Sequence, residues 1–177
     1  MSERVVVPSG RPAPILLLLV AAAILAAVAA WFVLGARDVA AGVTIAVALG
    51  PLVVAGRMSR RRGSPRLMFA DSAVERIVHA ALLAAVTWSR LPEQPRVALA
   101  ALAALVGSYL ASYLRAKSTG LGFDLEESTI DRSVLLGAPA LGLVSGFVET
   151  GLWAAVGWSS VVAARRALEV GSQGEPG

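Results

Sequence analysis

Three ionisable residues at regular intervals are the part of this sequence whose types and spacing could do chemistry. Asp71, Glu75 and His79 follow one another four positions apart within the stretch "RLMFADSAVERIVHA". In an α-helix, residues four apart lie on one face, so these side chains would form a stripe over two turns. Ionisable groups inside an apolar segment usually face a polar cavity or a partner. The stripe is therefore a candidate site, and its two carboxylates and imidazole could hold one divalent cation.

Arginines beside the stripe offer a different explanation for its carboxylates. Arg76 and the basic segment "RRRGSPR", from Arg60 to Arg66, are close enough in sequence to form ion pairs with them near lipid headgroups. His79, the one histidine of the chain, could likewise be a buried residue with satisfied hydrogen bonds. Spacing alone leaves both a functional site and an interfacial network of salt bridges open.

A second polar cluster lies in "SYLASYLRAKSTGLGFDLEESTIDR", which runs from Ser108 to Arg132. Arg115 and Lys117 could bind phosphate there, the arginine as a bidentate fork and the lysine as a point charge. Cations at the end of an apolar segment also serve as cytoplasmic anchors, and this role requires no ligand.

The elements that must position both clusters are membrane helices. Apolar residues make up 56% of the 177 residues and charged residues 16%, which is too apolar for a soluble domain of this length. Uncharged runs predict an all-α bundle of six transmembrane helices, and the third run becomes long enough to span a bilayer if it begins near Leu67. The runs are Ile15 to Leu34, Val39 to Gly56, Ile77 to Ser89, Val97 to Leu114, Ser133 to Val148 and Thr150 to Ala164.

The distribution of cations predicts how this bundle is oriented. Arginine and lysine follow the second, fourth and sixth runs, whereas the opposite connections are short and carry fewer cations. Cytoplasmic loops carry the excess of these residues, so both termini are expected in the cytoplasm of a bacterial cell with the protein in its inner membrane. The first run also resembles a secretory signal, but 20 residues are long for the apolar core of one.

One membrane domain is expected at 15–170, with flexible tails at 1–14 and 171–177 whose composition is typical of disordered ends. The net charge of +4 is spread as membrane anchors, which favours membrane lipids as partners and argues against nucleic acid. The chain has no cysteine, and this excludes disulfides and thiolate chemistry.

Both polar clusters resemble segments of one enzyme family. The segment 112–122, "SYLRAKSTGLG", is similar to the "SYvrARaeglG" of actinobacterial phosphatidylinositol phosphate synthases, and Asp131-Arg132 falls where that subfamily has a second "eR" pair. "DSAVER", from Asp71 to Arg76, resembles the "DsxxDR" that closes the signature of the CDP-alcohol phosphatidyltransferases. The resemblance covers roughly Val39 to Arg166, and the alanine, arginine and valine content suggests an actinobacterial source.

The resemblance implies transfer of a phosphatidyl group from a CDP-linked lipid to a hydroxyl acceptor of the inositol phosphate type, with release of CMP. In that family, aspartates hold divalent metal, Mg or Mn, and the last aspartate is the base. Asp71 matches the third aspartate and Glu75 the fourth. Residues of the acceptor-phosphate pocket would be Arg115, Lys117 and Arg132. The family commonly forms dimers, so a homodimer is one expectation.

The first two signature aspartates are replaced here. Gly50 and Val53 stand in their places, and no acidic residue occurs between Asp38 and Asp71. A metal site is then left with Asp71, Glu75 and His79, or no metal is bound. Three hypotheses remain open: a divergent phosphatidyltransferase, a catalytically silent homologue that acts as a subunit of another membrane protein, and a structural or transport-associated bundle.

Overall fold

A computed structural model describes residues 12–123 and 129–172 of the chain, apart from the side chains at positions 129 and 132. The prediction of an all-α bundle is confirmed, since these residues form six helices and no strand. Most of the predicted tails, and the segment 124–128, lie outside the described residues. The helices are α1 (Ala13–Leu34), α2 (Asp38–Arg62), α3 (Pro65–Arg90), α4 (Pro95–Gly120), α5 (Thr129–Ser145) and α6 (Val148–Ser172).

Buried residues recur along these helices at alternating intervals of three and four. This average period of 3.5 residues keeps one seam of each helix against its neighbours, as in a left-handed coiled coil. Alanine and glycine fill much of the seam, and small residues allow membrane helices to approach closely. In α1 the seam is Ile15, Leu19, Ala22, Ala26, Ala29 and Val33. In α2 it is Ala41, Ile45, Ala48, Leu52, Ala55 and Ser59.

The six helices pack as a closed ring in the order α1, α2, α5, α6, α4 and α3, and α3 returns to α1. A weaker contact between α2 and α3 crosses the ring. Because α3, α4, α5 and α6 follow one another around one half of the ring, the chain brings its two polar clusters together there.

Among the described residues, α1, α2 and α4 are long and apolar enough to cross a membrane. The remaining helices carry more charge or are shorter, with an apolar stretch at Ser133–Ser145 of α5. With 26 residues, α3 extends about 39 Å, so it can place charged residues near its ends and still cross the hydrocarbon core.

The two ends of the bundle differ in chemistry. We call one the basic end, where α2, α4 and α6 finish in Arg57, Arg60, Arg61, Arg62, Arg115, Lys117, Arg165 and Arg166. At the opposite end, exposed aromatic residues include Trp31, Trp88 and Phe147. An ion pair between Asp38 and Arg90 joins α2 to α3 there. Aromatic rings at an interface and cations beyond the other are the usual markers of a membrane span.

The close packing of α5 on α6 depends on glycine and gives a first testable prediction. A Cβ at Gly151 would lie 2.5 Å from the carbonyl oxygen of Ala138 and 3.0 Å from the Cα of Gly142, and backbone atoms cannot move aside cheaply. We expect Gly151→Ala to lower the free energy of unfolding by about 1–3 kcal/mol, the usual cost of overpacking.

The matched control is Gly157→Ala, also in α6, where an added Cβ meets nothing within 4 Å. This variant should be neutral or stabilising by up to about 1 kcal/mol, because alanine loses less backbone entropy than glycine. Thermal unfolding of both variants in the same detergent checks the contrast, and equal midpoints would contradict it.

Candidate functional site

Two adjoining cavities of about 50 and 30 Å³ lie between α3, α4, α5 and α6 near the basic end. We call them together the polar chamber, since most of their lining residues carry hydroxyl or ionisable groups. Its described lining is Ser72, Glu75, Arg76, His79, Ser108, Tyr109, Ala111, Ser112, Arg115, Asp131, Leu135, Val162 and Arg166.

The row of buried positions along α6 explains which of its arginine side chains points into the chamber. In α6 the buried positions are Leu152, Ala155, Ser159, Val162 and Arg166. Arg166 therefore points inward with only 7% of its surface exposed, while the neighbouring Arg165 lies outside the seam and is exposed. The apolar pattern of the helix thus places one guanidinium inside the bundle.

Asp131 organises the charges on this side of the chamber. Its residue surface is 5% exposed, and its Oδ2 accepts a hydrogen bond from Nη2 of Arg165 at 3.0 Å. Nη2 of Arg166 lies 3.9 Å from the same oxygen, and Nη1 of Arg166 donates to the carbonyl of Ala111. One carboxylate therefore connects α5 to α6, and Arg166 extends the connection to α4. Asp131 Oδ1 has no hydrogen-bond partner among the described residues.

The stripe predicted on α3 is present, but its members have different surroundings. Glu75 lines both cavities and His79 lines the smaller one. Nδ1 of His79 donates to the carbonyl of Glu75 at 3.0 Å, so the lone pair of a neutral ring lies on Nε2. Asp71, only 3% exposed, is buried one turn earlier and is not among the residues that line the chamber.

In the part of the chain that the structure describes, no group of three histidine, cysteine or carboxylate side chains could hold a metal ion. No residue of α2, which carries Gly50 and Val53, is among the described chamber lining. The donor set here therefore does not fit the two metal ions that the family resemblance implies, and the site of Asp71, Glu75 and His79 stays a prediction without support from this geometry.

The structure also separates the residues of the predicted phosphate pocket. Arg115 lines the chamber, because it continues the α4 seam through Ala104, Ser108 and Ala111. Lys117 is two residues further on and is exposed. The side chain of Arg132 lies outside the described residues.

Sequence reasoning missed three charged residues of the chamber. It treated Arg76 as a possible ion-pair partner, Arg166 as a membrane anchor and Asp131 as part of a motif, and the structure places all three in the same lining. The spacing of apolar residues does not single out Arg166 in the sequence, since Arg165 follows Val161 and Trp158 at the same intervals at which Arg166 follows Val162 and Ser159.

An apolar groove of about 660 Å³ between α3 and α4 borders the chamber. The two share Ser72, Arg76 and Ser112, so the polar lining continues directly into the groove wall. The hydroxyl of Tyr109 donates to the carbonyl of Arg76 at 3.3 Å and helps to hold the helices together at this border. The rest of the groove is lined by Met68, Phe69, Ala73, Tyr113 and Ala116.

The six-helix fold that surrounds this chamber is also found among solved structures. Three crystal structures of Mycobacterium tuberculosis phosphatidylinositol phosphate synthase share it. The complex with manganese and citrate has a TM-score of 0.67 at 19% identity, over 89% of this chain and 80% of that one. The apo form gives 0.69 at 18%, over 89% and 87%. The form with CDP-DAG bound gives 0.65 at 21%, over 93% and 88%.

The resemblance stated from the sequence is thus confirmed at the level of the fold. No protein-family model and no curated protein matches the chain. At identities of 18–21%, the similarity establishes the fold. Substrates and activity are inferred from the residues of the chamber.

Proposed function

We propose that this protein acts in phospholipid biosynthesis, transferring a phosphatidyl group from a CDP-linked lipid to a hydroxyl acceptor of the inositol phosphate type. The observation that carries the proposal is the junction of the charged chamber with an apolar groove. A nucleotide-linked lipid has the same division, since its diphosphate needs cations and its acyl chains need an apolar surface. The fold shared with an enzyme whose structure contains CDP-DAG supports this assignment.

In this proposal Glu75 is the base, because it lines both cavities of the chamber. It takes the proton of the acceptor hydroxyl while that oxygen attacks the lipid-linked phosphorus. The new phosphorus–oxygen bond forms as the bond to CMP breaks, and CMP leaves with the electron pair. Arg115 stabilises phosphate charge from α4, as a guanidinium fork suits phosphate oxygens. No step passes through a metal ion, since the donor set does not fit the two ions that the resemblance implies.

The test is CMP release from CDP-diacylglycerol by the purified protein in detergent micelles, with inositol phosphate and glycerol phosphate as separate acceptors. CMP that forms only with an acceptor present supports transfer and identifies the acceptor. Absence of CMP with every acceptor, in a preparation that remains folded, rules out the transferase.

The silent homologue is the second candidate, and one observation favours it: the described residues supply no group that could hold a metal ion. In this case the protein is a lipid-binding subunit of another membrane protein. It should then co-purify from native membranes with a homologue that has the complete aspartate signature. Isolation as a homodimer without such a partner contradicts this candidate.

We further propose that both termini face the cytoplasm and that the protein lies in the bacterial inner membrane. The absence of cysteine allows a direct test with single-cysteine variants. We expect a membrane-impermeant maleimide to label Glu93→Cys, between α3 and α4, in intact spheroplasts, and Thr119→Cys, near the end of α4, only after permeabilisation. Both positions are exposed, so accessibility alone does not separate them. The reverse labelling pattern would show that both termini face the opposite side of the membrane.

A further inference from the structure

We infer that the polar chamber binds a phosphate group with arginine side chains and without a divalent metal ion. The inference rests on the proposed function for the kind of molecule that carries the phosphate. Two observations support it. The possible metal ligands on α2 and α3 do not fit two metal ions, and the chamber is instead lined by arginine side chains.

The charge balance of the described residues favours an anion. Arg76, Arg115 and Arg166 line the larger cavity together with the carboxylates Glu75 and Asp131. Arg165 also pairs with Asp131 from outside the lining. Three guanidinium groups thus share the lining with two carboxylates, while the exposed Arg165 also pairs with Glu169, and this leaves an excess of positive charge in a partly enclosed site. Such a site attracts an anion and repels a divalent cation more strongly than water-exposed charges would.

Arg166 is held in place before any ligand arrives. Asp131 lies beside its guanidinium, and its Nη1 donates to the carbonyl of Ala111, so the group is fixed from α5 and α4. Arg115 is one turn beyond Ala111 on the same helix and lines the same cavity. Guanidinium groups fixed in this way bind phosphate oxygens with little loss of rotamer freedom. The cavity of about 50 Å³ exceeds the space of about 10–15 Å³ that one water requires.

Two sources could present the same phosphate chemistry: the diphosphate of a CDP-linked lipid and a soluble phosphate ester. In either case the guanidinium groups neutralise the charge that metal ions would otherwise neutralise. Asp131 Oδ1 can accept a hydrogen bond from a ligand hydroxyl at the edge of the site.

The experiment measures binding to the full chain in neutral detergent with EDTA present, using radiolabelled inorganic phosphate and, separately, CDP-diacylglycerol. We expect at least one probe to bind in EDTA and Arg115→Gln to raise its Kd at least tenfold, since a hydrogen bond to a charged group is commonly worth that much. Binding of phosphate identifies a soluble ester as the source, and binding of CDP-diacylglycerol alone identifies the lipid.

The matched control is Arg96→Gln, which removes the same charge from the exposed, opposite end of α4 and should leave the Kd unchanged. Binding of neither probe in EDTA overturns the inference, as does binding that appears only when manganese is added. Equal weakening by Arg96→Gln also overturns it, because the effect would then be one of net charge.

The outcome is separable from that of the proposed function. Metal-free binding without any CMP release leaves this site standing and removes the transferase. CMP release that requires manganese, without metal-free binding of either probe, supports the transferase and removes the metal-free phosphate site.

Discussion

Replacing Glu75 with glutamine is expected to lower CMP release by about 10²- to 10⁴-fold, the usual contribution of a general base. Glutamine has nearly the same shape and can still form hydrogen bonds, but it cannot accept the proton of an acceptor hydroxyl at neutral pH. Glu75 is partly exposed inside the chamber, so the change should not unfold the bundle. Initial rates of CMP formation at saturating acceptor, beside thermal unfolding of the same samples, check both statements.

Two further variants sharpen this test. Glu75→Asp keeps the charge but withdraws the carboxylate by about one methylene, so turnover should fall less than in Glu75→Gln while proton transfer remains possible. Glu93→Gln removes an exposed carboxylate at the opposite end and should leave turnover unchanged. If Glu75→Gln retains the activity of the unchanged protein, the general base is a different group and its assignment to Glu75 on α3 is wrong.

The number and order of the helices could be predicted because apolar runs are separated by short polar connections in the sequence. Several of their ends could not. α2 continues past Gly56 through Arg57 and on to Arg62, since arginine is a good helix former and hydropathy ends before helicity does. α3 begins at Pro65, close to the extension expected near Leu67, because proline is well suited to the first helical turn.

The candidate site was only partly predictable for a related reason. Glu75 and Arg115 could be found because they belong to recognisable motifs and also lie on the seam of their helices. Arg166 could not be told from Arg165 by charge or position relative to the membrane. Their difference depends on which face of α6 packs against α4, and that packing is a property of the folded bundle.

The ion pair between Asp131 and the buried Arg166 is expected to contribute strongly to the stability of the bundle. We expect Asp131→Asn to lower the free energy of unfolding by about 3–5 kcal/mol, because removing one member of a buried ion pair leaves the other without compensation. Asp131 is 5% exposed and Arg166 7%, and both contribute to contacts among α4, α5 and α6. Chemical unfolding in mixed micelles, monitored by circular dichroism, gives the difference.

A control variant in the same group of charged residues tests whether burial determines how much stability is lost. Glu169 also pairs with Arg165, at 3.4 Å, but its side chain is 37% exposed. Glu169→Gln should therefore cost less than about 1 kcal/mol, as is usual for exposed pairs. The double variant Asp131→Leu with Arg166→Met removes both buried charges and should recover most of the stability that Asp131→Asn loses. If Asp131→Asn is no more destabilising than Glu169→Gln, the buried pair does not hold the three helices together. The chamber would then need another source for the fixed position of Arg166.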